Sequence, residues 1–335
     1  MVGGVSTGPG LRRSQRTVGE LRLAAKVAWM YHEEHRNQPE IATELHLSQS
    51  RVSRLLKLAQ DEGIVRTVVQ PPQGVFTDLE AAIERRFGVA ECVLVETRGT
   101  EAAVLNDLGI AAADHLTATL YGHEIVGISS WSETWLSGVQ HLRPFRQPVA
   151  DSIVQLVGGV GNPVVQTQAT LLLDRFATLT GAEAVFLQTP GILGDASARE
   201  VLMNDPAIQR VTALWDHLTV ALLGIGSLEP SPLLRESGNV VSDELAERLG
   251  ALGAVGDVCS RFFDADGRAL AAGIDGRVAG ITEEQLRRVP RRVAAAGGAR
   301  KLPAIRGALR GGWVTTLITD TATARALLDG PEQVS

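Results

Sequence analysis

The chain has 335 residues, too many for one ordinary domain and suited to one small and one large unit. With 44% hydrophobic, 21% charged and only 4% aromatic residues the composition is globular, with a core that must rest on Leu, Val, Ile and Ala. No stretch reaches the ~18 apolar residues a membrane span needs. The two cysteines, Cys92 and Cys259, exclude a disulfide framework and are expected to be buried, reduced thiols. The formal net charge of −6 argues by itself against nucleic-acid binding, but the charge is unevenly spread. Residues 1–72 hold 10 Lys/Arg against 7 Asp/Glu, so a basic head precedes an acidic body.

Residues 1–20 read as a disordered arm; rich in Gly and Ser near its start, it lacks the apolar region of a signal peptide, and the protein is expected to be cytoplasmic. Residues 21–31 follow as a helix with Leu23, Ala24, Val27, Ala28 and Tyr31 on one face. A short helix over 39–45 has Pro39 in its first turn and Ile41, Ala42 and Leu45 inward. After a tight connection at His46-Leu47, Ser48 is the N-cap of a third helix, which Gly63 ends. Val52, Leu55, Leu56 and Ala59 face inward on it.

The segment 38–56 matches a helix-turn-helix. Ala42 is small where two helices cross, and Val52 and Leu55 fix the crossing. Glycine often stands where this chain has His46, since that position tends towards positive φ, which His tolerates better than β-branched residues. The outward face of the third helix would enter the major groove of double-stranded DNA. Gln49, Ser50 and Arg51 are placed for base edges, with Ser53 on the same face and Arg54 and Lys57 better placed for phosphates. The competing reading is a three-helix oligomerisation cap. Small hydroxyls and cations, rather than a Glu-rich mix, favour DNA.

Residues 64–69 are β-branched and read as a short strand or a wing on the helices. Pro71-Pro72-Gln73-Gly74 is the linker, which makes 21–72 the DNA-binding domain and 73–335 the larger one. Thr77-Asp78-Leu79-Glu80 reads as a capping box opening a helix to about residue 87. Beyond it, β-branched apolar runs at 92–95, 125–128, 153–157, 184–187, 220–224, 255–259, 293–296 and 314–318 alternate with helical stretches such as 101–120, 164–179, 243–252 and 283–289. That alternation predicts an α/β fold with a mostly parallel sheet covered on both faces. The arginines Arg287, Arg288, Arg291 and Arg292 read as a solvated helix face.

Several strand ends lead into glycine- and hydroxyl-rich loops: Gly127-Ile128-Ser129-Ser130-Trp131-Ser132-Glu133-Thr134, Gly158-Gly159-Val160-Gly161-Asn162, Thr189-Pro190-Gly191 and Gly224-Ile225-Gly226-Ser227. In open α/β sheets ligands sit beyond the carboxyl ends of the strands, and a sugar or sugar phosphate is the natural guest.

The chain resembles the SorC family of transcriptional regulators, sometimes grouped with DeoR-type regulators. The resemblance rests on Glu62-Gly63-Ile64-Val65, Val154-Gln155-Leu156-Val157-Gly158-Gly159, Leu223-Gly224-Ile225-Gly226-Ser227 and Gly253-Ala254-Val255-Gly256-Asp257. Arg261-Phe262-Phe263-Asp264-Ala265-Asp266-Gly267 and Gly297-Gly298-Ala299-Arg300-Lys301-Leu302-Pro303-Ala304-Ile305 complete it. It implies a Rossmann-like effector domain with the fold of sugar-phosphate isomerases, a phosphorylated sugar as effector, and dimers or tetramers on an operator. It also implies that Ser129, Ser132 and Thr134 hold a phosphate or terminal hydroxyl, that Asp257 accepts from sugar hydroxyls, and that Lys301 meets the opposite side of the ligand. Gly158, Gly159, Pro190, Gly191 and Gly226 would complete the site.

Glu133 departs from a simple phosphate loop, since a carboxylate there repels the ligand unless it points away. It is either the last residue of a capping box, Ser130-Trp131-Ser132-Glu133, or a contact to an unphosphorylated sugar or polyol. The expected function is an effector-gated repressor or activator of a carbohydrate operon, with no cofactor, metal or turnover. The alternative is a sugar-phosphate isomerase or lactonase with an appended head. Such chemistry needs a positioned general base, and the seven histidines (His32, His35, His46, His115, His123, His141 and His217) show no metal spacing or carboxylate-paired motif.

Overall fold

The computed structural model describes residues 17–67, 70–72, 74–129, 131–237, 242–270 and 273–329. The chain divides into two compact units between Gln70 and Pro71. Of the expected arm, residues 1–16 lie outside the described residues, and Val18 already opens the first helix.

The head consists of α1 (Val18–His32), α2 (Gln38–Glu44) and α3 (Gln49–Asp61), each started by a polar cap. The Thr17 hydroxyl accepts from the Glu20 N–H, and Asn37 and Glu40 form a reciprocal capping box around Pro39. Ser48 accepts from the Arg51 N–H at 3.2 Å. Between α2 and α3, His46 takes φ 53°, and the Leu47 N–H reaches back to the Ala42 carbonyl at 2.8 Å.

The head core gathers Ala24, Val27, Ala28 and Met30 with Ile41, Ala42, Val52, Leu55, Leu58 and Ala59. Two expectations change. Met30, one turn beyond Val27, is buried while Tyr31 stays 38% exposed, and Leu58 rather than Leu56 is buried one turn beyond Leu55. After Gly63 (φ 69°) residues 64–67 form no strand; Val65 instead ties its N–H to the Ala59 carbonyl and packs on the head core. Residues 68 and 69 of the expected strand lie outside the described residues.

The second unit carries β1 (Glu91–Val95), β2 (Glu124–Ile128), β3 (Ala150–Gln155), β4 (Glu183–Val185) and β5 (Val220–Leu223). They are followed by β6 (Gly226–Ser227), β7 (Ala254–Val258), β8 (Arg261–Asp264), β9 (Arg291–Ala295) and β10 (Thr316–Asp320). Seven strands form one parallel sheet in the order β1-β10-β9-β5-β2-β3-β4. The apolar runs follow from burial on both faces. In β5, Val220 and Leu222 enter the core around Trp135 and Phe176, while Ala221 and Leu223 enter the core around Trp215, Phe263 and Trp313. The chain builds outwards from β2 to β3 and β4, then returns to place β5 on the other side of β2. The topological switch point, where a doubly wound sheet opens a crevice, therefore lies between β2 and β5.

Three further expectations change. The run at 255–259 belongs to a separate antiparallel sheet, β6-β7-β8, because β7 alternates between buried and half-buried residues and cannot be covered on both faces. The helix Thr77–Phe87 has Phe76 at its N-cap and no side-chain cap. Glu80 and Glu84 turn instead to the edge strand β1, accepting from the N–H groups of Leu94 and Cys92 at 3.1 and 2.9 Å. This satisfies donors that a sheet edge would leave open; burial raises the Glu80 carboxyl above the usual carboxylate range.

The arginine run is not one solvated face either. Arg288 fits that description, but Arg291 and Arg292 belong to β9. Arg291 pairs with buried Glu124, and Arg292 donates to the carbonyls of Val289 and Trp313.

Candidate functional site

On α3, Gln49, Ser50, Ser53, Arg54 and Lys57 are exposed on the surface expected to meet DNA. Arg51 is less open than its neighbours. Its guanidinium pairs with Glu20 of α1 at 3.2 Å, so the expected base contact would have to displace a carboxylate. Arg54 folds back to the Ser50 carbonyl at 3.3 Å.

In the second unit a cleft opens beyond the carboxyl ends of β2 and β5. Its β2 side is set by the helix Glu133–His141. Ser132 is the N-cap of this helix, accepting from the Trp135 N–H, and the fully buried Trp135 donates its indole N–H to the Leu223 carbonyl at 2.9 Å. Trp135 thus ties the helix start to the end of β5. Gly224 lets β5 run close by, since a Cβ there would stand 3.1 Å from the Ser132 Cβ. Glu133 is the first residue of the helix, not the last of a capping box; Ser130 lies outside the described residues.

The floor comes from the β7–β8 hairpin. Its two-residue turn, Cys259-Ser260, has φ 52° and 59°, a turn that normally calls for Gly or Asn. The conformation is held from both sides. Asp257 accepts from the Ser260 N–H at 2.9 Å, and buried Arg261 donates to the carbonyls of Gly280 and Ile281 at 3.1 and 3.0 Å. Gly226 sits against the Asp257 carboxylate, where any Cβ would collide with Oδ1. Burial pushes the Asp257 carboxyl up to about 6, against the opposing pull of the Ser260 N–H and Lys301. Burial also pushes the Cys259 thiol up to about 12, so it is a neutral packing group; Cys92 is likewise buried.

The far wall holds Arg300 and Lys301. Burial, and then the charge of Arg300, lower the Lys301 ammonium, while Glu133, Asp257 and Glu101 act to keep it charged. Arg300 is held by Ser227 Oγ at 3.0 Å, the Glu229 carbonyl at 2.9 Å and Glu101 at 3.1 Å. The loop that presents both is pinned by Asp320 at the end of β10. Its Oδ2 accepts from the Gly298 N–H while its Oδ1 caps the next helix through the Thr323 N–H.

Ser129, Ser132, Glu133, Gly226, Asp257 and Lys301 therefore converge on one cleft. Thr134 is buried and faces an adjoining hollow beside Leu105 and Gly298. Gly158, Gly159, Pro190 and Gly191 do not line the cleft. Gly159 packs on the indole of Trp131, which is a wall residue, whereas Gly158 and Gly191 exchange backbone hydrogen bonds with Ala279.

Sequence reasoning missed Trp131, Ser260, Arg300 and the supporting Asp320. Only Asp320 left a local trace, an Asp three residues before Thr323 at a strand-to-helix junction.

Residues 72–329 match the sugar-binding domain family, Sugar-bind. The deoxyribonucleoside regulator of Bacillus subtilis (strain 168) is 32% identical over 312 residues, covering 92% of this chain and 97% of that protein. The sorbitol operon regulator of Klebsiella pneumoniae is 29% identical over 314 residues, covering 92% and 98%. The crystal structure of the full-length sorbitol operon regulator SorC from Klebsiella pneumoniae matches with a TM-score of 0.69 at 28% identity, over 93% of this chain and 100% of that one.

Proposed function

The chain belongs to the sugar-binding domain family of SorC- and DeoR-type transcriptional regulators, and on that footing we propose that it controls a carbohydrate operon. The α3 face would contact the operator, and the cleft would bind a sugar, polyol or sugar phosphate that changes operator affinity. The observation that carries this reading is the convergence of hydroxyls, carboxylates and a half-buried lysine at the switch point of the sheet, in a chain that also carries a cation-faced helix-turn-helix. The named relatives are regulators, which supports binding without turnover. Turnover assays on pentose and hexose phosphates check that point.

A ligand moves an operator equilibrium only through unequal affinity for two states of the protein. We assign 21–72 to DNA contact and 73–335 to effector binding and assembly. A single head presents one recognition helix and binds weakly, so dimers or tetramers in the cytoplasm would supply paired half-sites. Fluorescence anisotropy with the protein's own promoter fragment tests the proposal. Salt-sensitive binding that changes on adding carbohydrate supports it, whereas binding indifferent to salt and to every carbohydrate overturns it.

A further inference from the structure

We propose that Arg300 is a specificity-determining residue of the cleft: its guanidinium gives up Glu101 and takes the phosphate of a phosphorylated sugar, beside Lys301. The inference rests on the carbohydrate-responsive reading above. It names the residue, and the exchange, by which that site would tell a phosphate ester from a free sugar.

Arg300 stands in the wall shared by the cleft and the adjoining hollow, next in the chain to Lys301. Its guanidinium has a fixed side and an open one. Nη1 donates to Ser227 Oγ at 3.0 Å and to the Glu229 carbonyl at 2.9 Å, so this side is tied to the segment 227–229. Nη2 meets Glu101 Oε1 at 3.1 Å, and Nε donates to no group among the described residues. The Nε–Nη2 edge is a planar fork, and such a fork receives a phosphate by two parallel N–H···O bonds.

Glu101 is a counter-ion that can leave. Its side chain is 79% exposed, against 30% for Arg300, and an ion pair so open to water holds weakly. A phosphate ester brings about 1.5 to 2 negative charges and three acceptor oxygens, where Glu101 engages through one.

The wall also gains from a stronger anion. Arg300 and Lys301 are neighbouring like charges, and after burial the Arg300 charge is what most lowers the Lys301 ammonium. Two of the carboxylates nearby have other partners: Glu229 pairs with Arg235 at 3.4 Å, and Asp257 accepts from the Ser260 N–H at 2.9 Å. A phosphate between Arg300 and Lys301 relieves their repulsion and leaves the hydroxyls of Ser129 and Ser260 for the sugar.

The exchange changes the protein as well. Glu101 opens the helix Glu101–Thr119, whose Gly109 lies against Ser137 of the helix Glu133–His141. Once Glu101 is released, Arg300 still holds 227–229 but no longer joins it to that helix. Filled and empty states then differ in their internal contacts, as a ligand-driven shift requires.

The test is isothermal titration of the full chain and of two variants with matched pairs: sorbitol and sorbitol 6-phosphate, fructose and fructose 6-phosphate, ribose and ribose 5-phosphate, deoxyribose and deoxyribose 5-phosphate. The pair that binds is expected to show a Kd at least about tenfold lower for its ester. Arg300→Ala should raise the Kd of the ester by about tenfold or more and move that of the free sugar by less than about twofold. Glu101→Gln, which removes the competing carboxylate and leaves Arg300 in place, should tighten the ester by about threefold or more. It decides the matter should Arg300→Ala fail to fold. Equal losses for ester and free sugar in Arg300→Ala give Arg300 a structural role and overturn the inference. An ester no tighter in Glu101→Gln, or a free sugar bound as tightly as its ester by the parent chain, also overturns it and leaves the regulator reading standing. Failure of all eight compounds to bind the parent chain overturns the inference and counts against a carbohydrate effector altogether.

Discussion

The two units build their working surfaces in opposite ways. In the head, Gln49, Ser50, Ser53, Arg54 and Lys57 lie on one helix, started by one serine cap and held by one apolar stripe. In the body, the cleft draws Ser129, Gly226, Asp257 and Lys301 from four separate segments of the chain, brought together by a parallel sheet and a small antiparallel one. A surface of the first kind depends on helical period and survives as long as its helix packs. One of the second kind depends on distant backbone groups meeting, so glycines and buried caps far from the ligand matter as much as the residues that touch it.

The largest effect that would test this contrast is loss of the head core. Leu55 is 1% exposed, and Leu55→Ala should remove about 2–5 kcal/mol from the head. Operator binding should fail while carbohydrate still raises the melting temperature of the body; loss of both responses in calorimetry would show that the units are not separable.

Next comes Asp257. Its folded-state carboxyl titrates near 6 instead of 3.8, so the folded protein holds this proton more tightly than the unfolded chain does. That contribution is complete below the unfolded value and is lost as pH rises through about 6, amounting to up to about 3 kcal/mol at ~1.36 kcal/mol per unit. Denaturant titrations across that interval should show the slope, and Asp257→Asn should flatten it. Carbohydrate affinity should rise over the same interval, because the ionised carboxylate is the better acceptor.

Gly226→Ala should cost about 1–3 kcal/mol by driving a methyl into the Asp257 carboxylate. It should abolish the carbohydrate response while operator affinity measured by anisotropy stays as in the parent. Arg51→Ala should weaken operator binding by about 1–3 kcal/mol if the guanidinium leaves Glu20 for a base. The smallest effect belongs to Lys57→Ala, which should weaken all DNA sequences alike and lower the salt slope by about one. Unchanged binding in both variants would remove the α3 face from DNA contact.

Legibility in the sequence followed the same division. Ser48, Pro39 and His46 announced the head because caps, first turns and positive-φ positions are decided within a few residues. Runs such as 92–95, 125–128 and 220–224 marked strands of the large sheet, since burial on both faces demands unbroken apolar residues. Ser129, Asp257 and Lys301 were found through the family resemblance and the strand-end loops.

Where several arrangements satisfy the same local pattern, the reading went astray. The 255–259 run reads with the other β-branched runs yet joined the hairpin sheet, and Thr77 and Glu80 fitted a capping box that the unpaired edge of β1 claimed instead. The spacing of Arg291 and Arg292 said helix face, but buried Glu124 and two backbone carbonyls hold them in β9. Nothing local marked Arg300 as a clamp, because its partners lie on two other segments, 227–229 and the helix start at Glu101.

The amino-acid sequence by itself determined the kinds of element, the serine cap of α3 and most of the buried stripe of each head helix; period, propensity and side-chain-to-backbone hydrogen bonds act over one or two turns. The tertiary structure alone decided that β5 returns to lie beside β2, and so where the crevice opens and which glycines, carboxylates and cations border it. Pairing between parallel strands joins backbone groups far apart in the chain, and nothing in either strand names its partner.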